Sequence, residues 1–243
     1  MICATCKQVC VYEEEEIAPG EFYLYRRPQC QCEVAAEASR QQAKKEEDEA
    51  GYRKRLLHRS HVNASPKLTR MNLANFQENK GNKKAVRAVL KYLKTWPNTR
   101  GLVLSGQCGR GKTHLAVGVV RAFALRMVCA EFWQGYALLD SLRPKGEDAA
   151  AQYELEYFVS LPLLVIDDLG RERLTEWGQE MMFSLLDQRD LAERPTIVTT
   201  NLDTEQLERH LSEAIVSRLV GNCDWLELTG DDHRLKALEG GAG

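Results

Sequence analysis

The chain lacks the features that mark an exported or membrane-embedded protein. No apolar run approaches the roughly 18 residues that a membrane-spanning helix needs, and the most apolar stretch, 115–125, is interrupted by Arg121. The N-terminus has cysteines followed by four glutamates at 13–16, where a secretory signal would have basic and then apolar residues. We therefore expect a soluble, cytoplasmic protein with no membrane contact.

A strong net charge and internal repeats are also absent. The 243 residues include 33 Lys and Arg against 35 Asp and Glu, a formal net charge of −2, so any nucleic-acid partner must be recognised by a local basic patch. Six basic residues form one candidate, with an ordinary solvated helix face as the alternative. They are Arg53, Lys54, Arg55, Arg59, Lys67 and Arg70.

Cysteine is present but unevenly distributed, and in a reducing compartment disulfides are not expected. Cys108, Cys129 and Cys223 are scattered, as small buried hydrophobic residues would be, whereas five of the eight cysteines lie in the first 32 residues. There, a C-x2-C pair and a C-x-C pair supply four thiolates, enough for a tetrahedral structural zinc. The predicted zinc ligands are Cys3, Cys6, Cys30 and Cys32, with Cys10 as a spare; free thiols in a flexible tail are the alternative.

Changes in composition divide the chain into three parts. Residues 1–59 are predicted to be the cysteine-rich zinc-binding domain with a polar helix over 33–59, which Gly51 weakens. Residues 60–80 are the predicted linker, irregular over 60–75 where it contains Ser65-Pro66, and 81–243 is the main domain. In the main domain, short apolar runs alternate with helical patterns. Strands are predicted at 102–105, 128–132, 163–166, 196–199 and 225–228, and helices at 82–93, 112–127, 136–142, after Thr175 and at 204–219. This alternation predicts a three-layer α/β domain with a parallel sheet.

The sequence GQCGRGKT matches the P-loop pattern G-x4-G-K-[ST], with a strand before it and a helix after it. Its main-chain N–H groups and the helix amino end would receive the phosphates of ATP or ADP. Lys112 can reach the β- and γ-phosphates, and the Thr113 hydroxyl can ligate Mg²⁺. The predicted nucleotide-binding residues are Gly106, Gln107, Cys108, Gly109, Arg110, Gly111, Lys112, Thr113, His114 and Asp167.

Two acids follow the fully apolar run 163–166, one strand further along than the P-loop. A carboxylate at the carboxyl end of a buried parallel strand faces the crevice where such sheets bind ligands. We expect Asp167 to hold Mg²⁺ together with Thr113, and Asp168 to orient or deprotonate the attacking water. Asn201 ends the next strand and could contact the γ-phosphate, or simply form a turn. Arg218 is flanked by apolar residues, which indicates a specific role for its guanidinium; a solvated arginine at a helix end is the alternative.

The stretch 101–203 resembles the DnaC/DnaI-type replicative helicase loaders of the AAA+ ATPases, and the related insertion-sequence transposition helper ATPases. GLVLSGQCGRGKTHLA, LLVIDDLG, TEWGQEMMFSLLDQR and PTIVTTNLD carry the resemblance, and the sequence Leu-Ala-Asn-Phe at 73–76 is similar to the beginning of the same domain. The resemblance implies that Lys112 and Thr113 are the Walker A pair, that Asp167 and Asp168 are the Walker B acids and that Asn201 is sensor 1. It also implies that Arg218 is an arginine finger acting on a neighbouring subunit, and that Arg234 has a family counterpart of less defined role.

By this resemblance the protein would be a bacterial or phage-encoded ATPase, slow and regulated, without the C-terminal helical lid of most AAA+ proteins. Its N-terminal zinc domain would bind the hexameric replicative helicase, and its ATPase domain would bind single-stranded DNA. A transposition helper that assembles on DNA and recruits a transposase is the alternative. A small-molecule kinase and a nucleotide-dependent adaptor with negligible turnover are two further interpretations. The double acid, the Thr-Thr-Asn strand end and Arg218 favour an ATPase over a kinase.

Overall fold

The computed structural model describes residues 12–18, 21–26, 31–143, 150–171 and 173–230. It divides into two compact units, Met1–Tyr52 and Arg53–Gly243. The predicted zinc ligands Cys3, Cys6 and Cys30, the side chain of Cys32, and Arg234 lie outside the described part. The zinc site, the role of Arg234 and the predicted domain boundaries therefore stay predictions.

The first unit contains an antiparallel hairpin of β1 (Tyr12–Ala18) and β2 (Glu21–Arg26). This hairpin was not predicted from the sequence. The long helix α1 (Gln31–Arg59) follows, as its Ala-, Glu-, Gln- and Lys-rich composition predicts. Gly51 does not interrupt it.

The second unit has five further strands and eight further helices in the described residues. The helices, α2 to α9, are Pro66–Arg70, Lys83–Lys94, Lys112–Leu125, Gly135–Ser141, Ala150–Ser160, Glu176–Leu191, Thr204–His210 and Glu213–Asn222, with a 3₁₀ turn at Leu73–Asn75. The strands, β3 to β7, are Gly101–Ser105, Ala130–Gln134, Leu163–Asp167, Thr196–Thr199 and Cys223–Glu227.

The five strands of this unit form one parallel sheet in the order β4-β5-β6-β3-β7. Alternate side chains point to opposite faces, so Leu104 and Val165 join the core formed with α3 and α4, whereas Val103 and Ile166 join the core formed with α5, α7 and α9. Because both faces are covered, the strands are almost wholly apolar. The predicted α/β class with a parallel sheet is confirmed, and all carboxyl ends of the strands lie at one edge.

Two local predictions were wrong. The single helix expected at 204–219 is two helices, because Ser212 adopts an extended conformation and caps α9 by accepting a hydrogen bond from the Ile215 N–H. The linker expected to be irregular contains α2 and the 3₁₀ turn, and it packs against α4. Helix α6 was not predicted.

Arg189 of α7 lies in the core with 1% of its surface exposed. Its Nε donates to Thr196 Oγ1 at 2.9 Å, and its terminal nitrogens donate to the carbonyls of Leu161 at 3.0 Å and Pro195 at 2.6 Å. This guanidinium joins α7, the end of α6 and the start of β6, and its donors are satisfied by neutral oxygens. Sequence reasoning attached no role to it.

Among the described helices, none has the length and apolarity to cross a membrane.

Candidate nucleotide site at the carboxyl edge of the sheet

The P-loop connects the end of β3 to the start of α4, with Lys112 as the first helical residue. Gly106 and Gly111 have φ of 133° and 93°, values that residues with a side chain rarely adopt. A Cβ on Gly106 would lie 2.2 Å from the carbonyl oxygen of Leu228, and a Cβ on Gly111 would lie 2.8 Å from the ring of Phe76. Both glycines are therefore required by close packing around the loop.

Lys112 turns its side chain back into the loop and is 5% exposed. Its ammonium donates to the carbonyl oxygens of Gly106 at 2.6 Å and Gln107 at 2.8 Å. A cation is thus held beside main-chain N–H groups and the positive amino end of α4, an arrangement suited to phosphate.

Asp167, the last residue of β5, is 2% exposed and accepts hydrogen bonds from two threonines. Thr113 Oγ1 lies 3.0 and 3.2 Å from its two carboxylate oxygens, and Thr199 Oγ1 lies 2.6 Å from Oδ1. Burial raises the pKa of Asp167 to about 6; the hydrogen bond from Thr199 opposes this rise, the charge of Asp168 adds to it, and the Thr113 hydrogen bond and the Lys112 charge oppose it.

The acid that follows, Asp168, has φ of 54°, in the left-handed region. Its N–H donates to Thr199 Oγ1 at 2.9 Å, and the N–H of Leu169 donates to the carbonyl of Thr199 at 2.9 Å. Thr199 therefore joins both acids to β6 through one hydroxyl. Sequence reasoning noticed the Thr-Thr-Asn strand end but gave Thr199 no role, because a threonine in a buried strand is ordinary.

A cleft of about 890 Å³, which we call the nucleotide cleft, borders the P-loop and the two acids. The P-loop residues from Cys108 to His114, Asp167, Asp168 and Asn201 lie along it, so the structure brings together most of the predicted nucleotide-binding residues. Gln107 contributes its carbonyl to Lys112 and its side chain to Arg110, at 3.0 Å from Arg110 NH2.

The opposite wall comes from residues 65–77, the predicted linker, which contributes Leu68, Met71 and Phe76. His114 holds this segment: its Nε2 lies 2.9 Å from both the Asn72 carbonyl and Asn75 Oδ1. Apolar side chains beside a phosphate-binding loop suit the base end of a nucleotide. The similarity noted at residues 73–76 was the only sequence signal for this wall.

Arg218 lies away from the cleft, near the amino edge of the sheet. It shares a small depression with Gly101 and Cys223, the first residues of β3 and β7. Its NH2 lies 2.6 Å from Asp187 Oδ1 and its NH1 lies 3.8 Å from Asp190 Oδ2. Strands of five residues separate the two edges by about 16 Å, so Arg218 is not part of the nucleotide site of its own subunit.

A second cleft, of about 420 Å³, meets the nucleotide cleft at Gln134, Asp168 and Arg171. We call it the arginine–aromatic groove, and its defining residues are Tyr136, Arg143, Arg171, Arg173 and Trp177. The guanidinium of Arg143 lies 5.5 Å from the ring centre of Trp177, and Tyr136 is 60% exposed. Sequence reasoning did not find this groove, because its residues come from two segments, 134–143 and 168–178, that are well separated in the chain.

The described residues contain no group of three or more His, Cys, Asp or Glu that could hold a metal ion. Asp167 with Thr113 nevertheless provides hard oxygen donors, and Mg²⁺ at such sites takes one or two carboxylates together with substrate phosphates and water. The residues fit a magnesium–nucleotide complex.

Comparisons with known proteins agree with this geometry. The family model of the IstB-like ATP binding protein matches residues 33–239. A putative ATP-binding protein of insertion sequence IS232 from Bacillus thuringiensis subsp. berliner is 27% identical over 152 residues, 60% of this chain and 59% of the relative. The replicative helicase loader DnaC of Escherichia coli K12 is 27% identical over 144 residues, 56% of this chain and 57% of DnaC.

Among solved structures, the DnaC helicase loader superposes with a TM-score of 0.62 at 26% identity, over 68% of this chain and 100% of that chain. The matches span less than two thirds of the length of the two curated relatives. These two relatives confirm the resemblance to the helicase loaders and to the insertion-sequence proteins. On the strength of the family match, which covers most of its length, the chain belongs to the IstB-like ATP binding protein family.

Proposed function

We propose that this protein is an ATP-controlled loader that delivers a replicative DNA helicase onto single-stranded DNA. The observation that supports it best is the contact between two clefts: Asp168 and Arg171 line both the nucleotide cleft and the arginine–aromatic groove. Hydrolysis or exchange of a bound nucleotide would therefore take place beside a surface that suits nucleic acid.

In this proposal the chain binds ATP with Mg²⁺, which, when bound, supplies positive charge to the phosphates. The P-loop N–H groups and Lys112 hold the phosphates, while Asp167 and Thr113 supply oxygen ligands. Asp168 orients or deprotonates the attacking water, and Asn201 contacts the γ-phosphate end. Both of the latter residues line the cleft.

Titration calorimetry with ATP and Mg²⁺ tests nucleotide binding. Lys112→Ala should weaken binding about a hundredfold, since it removes a charge-assisted contact to phosphate. Lys94→Ala, an exposed lysine outside the cleft, is the control and should bind as the wild type does. If neither ATP nor ADP binds to the folded wild-type protein, the proposal is wrong.

Arg218 completes the site of a neighbouring subunit in this proposal. Its position near the amino edge, remote from its own P-loop, supports action in trans, and self-association follows because each site then needs two subunits. In the single subunit Asp187 holds the guanidinium at 2.6 Å, so a neighbour's triphosphate would replace one anionic partner by another.

Mixing two inactive variants tests action in trans. Lys112→Ala weakens nucleotide binding and Arg218→Ala removes the finger, so each alone should have little ATPase activity. Mixed heteromers contain sites formed by an intact P-loop and an intact arginine, and we expect partial recovery of turnover. Action within one subunit predicts no recovery.

The arginine–aromatic groove is the proposed site for single-stranded DNA, because aromatic rings stack with bases and arginines pair with phosphates. Trp177→Ala and Arg143→Ala should lower affinity for single-stranded DNA and its effect on ATP turnover. Arg209→Ala, an exposed arginine outside both clefts, is the control. If single-stranded DNA changes neither ATP turnover nor nucleotide affinity in the wild type, the loader mechanism fails.

The helicase would be bound by the N-terminal region through a zinc site of Cys3, Cys6, Cys30 and Cys32. We expect stoichiometric zinc in the purified protein, and loss of both zinc and helicase co-purification in the Cys3→Ser/Cys6→Ser variant. Cys108→Ser is the control for thiol loss in general, since Cys108 is an exposed thiol of the P-loop.

A transposition helper remains the second candidate, because an insertion-sequence protein and a helicase loader match at the same 27% identity. Helicase transfer onto a single-stranded DNA circle supports the loader. ATP-dependent assembly on duplex DNA that recruits a transposase, with no helicase transfer, supports the helper.

A further inference from the structure

Basic residues are concentrated in one acid-free block of the chain. Between Glu78 and Glu131 there are 52 residues with 11 Lys and Arg and no Asp or Glu. The remainder of the chain has 22 basic residues against 35 acidic ones. The near-neutral net charge therefore conceals a strongly positive segment, which forms α3, β3 and α4.

About half of these cations already have a local role. Lys112 and Arg110 belong to the P-loop, Arg100 pairs with Asp224 at 3.1 Å, and Arg121 donates to carbonyls of the 60–70 segment. Arg126 donates to the carbonyl of Leu93.

The remaining cations cluster on one helix and form what we call the α3 basic face. It consists of Lys83, Lys84, Arg87, Lys91 and Lys94, with Lys80 just before the helix, and all of these residues are exposed. The opposite side of α3 is buried through Ala85, Val89, Tyr92 and Leu93. The cations recur about once per turn along about 16 Å of helix.

Among the residues that the structure describes, the elements packed against α3 leave most of this face without a neutralising acid. Within the part of the chain that the structure describes, Glu78 with Lys83, at 3.7 Å, is the one ion pair that the face makes. Helix α4, packed against α3, has no acid, and on β7 the acid on the same side, Asp224, is held by Arg100. Like charges three and four residues apart destabilise a helix, so the arrangement favours a partner that supplies negative charge.

We infer that the α3 basic face binds the sugar–phosphate backbone of DNA without reading its sequence. The face is a linear row of exposed cations without a pocket, which suits a polyanion rather than a small anion. The one aromatic ring of α3, Tyr92, is buried, so the face offers charge and no base stacking. This inference rests on the proposed function and adds a second DNA contact, on an element that does not line the arginine–aromatic groove.

Fluorescence anisotropy with a labelled 30-nucleotide strand and its duplex, over a range of salt concentrations, tests the inference in the full-length protein. The variant is Lys84→Glu/Arg87→Glu/Lys91→Glu. The matched control is Arg40→Glu/Lys44→Glu/Lys45→Glu, which makes the same charge change at exposed positions of α1. Thermal unfolding and ATP binding are measured for both variants. Unfolding should change little because the substituted side chains are exposed, and ATP binding should change little because α3 does not line the nucleotide cleft.

The α3 variant should lose about tenfold or more in DNA affinity, and the slope of log K against log salt should fall by about 0.9 for each lost phosphate contact. The control should keep most of its affinity and slope. Equal losses in the two variants, or no loss in the α3 variant, would overturn the inference. If the wild type binds no DNA with or without ATP, the DNA part of the proposed function fails as well; if it binds and only the α3 variant is unaffected, the inference alone fails.

Discussion

Charged side chains have different surroundings at the two edges of the five-stranded sheet. At the carboxyl edge, Lys112 and Asp167 are almost fully buried but border a large cleft, with contacts that a nucleotide complex can replace. At the amino edge, Arg189 is buried and donates hydrogen bonds to carbonyls and a hydroxyl, and Arg218 is paired with acids at the surface. At the carboxyl edge the charged side chains can exchange their present contacts for a bound ligand. At the amino edge they are paired with groups of the chain itself.

Two cysteines, one at each edge of the sheet, should differ in reactivity, and this is the largest effect that we expect. Burial raises the pKa of Cys223, at the start of β7, to about 12, so at pH 8 only about one such thiol in 10,000 is ionised. Cys108 is exposed in the P-loop. Alkylation followed by peptide mass spectrometry should show Cys108 reacting about a thousandfold faster. ATP with Mg²⁺ should slow Cys108 only; comparable rates in the folded protein would contradict the comparison.

Arg189→Met should cause the largest loss of stability. It keeps much of the side-chain volume but leaves several buried carbonyls without a donor, and we expect a loss of about 3–5 kcal/mol in the free energy of unfolding. Urea denaturation measures it. Arg194→Met, an exposed arginine nearby, should change stability by less than about 0.5 kcal/mol. If Arg189→Met is equally mild, the guanidinium is not a structural cross-link.

Thr199→Val should cost about 2 kcal/mol, because it removes the hydrogen bond to the buried Asp167 carboxylate and the acceptor for the Asp168 N–H. Affinity for the magnesium–nucleotide complex should fall with it, by calorimetry. Thr199→Ser keeps the hydroxyl and should restore most of the affinity. Loss of affinity in Thr199→Ser but not in Thr199→Val would mean that the packing of the methyl group, rather than the hydroxyl, matters.

The smallest effect is expected for Arg218→Ala on stability. Its ion pair with Asp187 is partly exposed, with 42% of the arginine side chain and 26% of the aspartate side chain accessible. Such pairs contribute at most about 1 kcal/mol. A larger change in the free energy of unfolding would place Arg218 with Arg189, as a structural residue, and weaken the proposal that it serves a neighbouring subunit.

Much of the sheet could be predicted from sequence because its strands are buried on both faces. The apolar run 163–166 and the P-loop pattern each have a local signature, and their order along the chain indicates a parallel α/β domain. The predictions failed where a single side chain decides the backbone: Ser212 caps a helix and divides the segment 204–219 in two. The sequence also predicts a linker at 60–80 without regular structure. No local pattern indicates how this segment packs, because its contacts with His114 and Arg121 come from residues more than 35 positions away.

By itself, the sequence determined the P-loop, the acids at the end of a buried strand and the family resemblance, since each depends on neighbouring residues and on the periodicity of the chain. Only the tertiary structure decided which groups meet across the chain. It joined Thr199 to Asp167, brought the 65–77 segment over the P-loop and put Arg218 near the other edge of the sheet. The reason is physical: a parallel sheet brings together strand ends that are distant in sequence, and no local pattern encodes those distances.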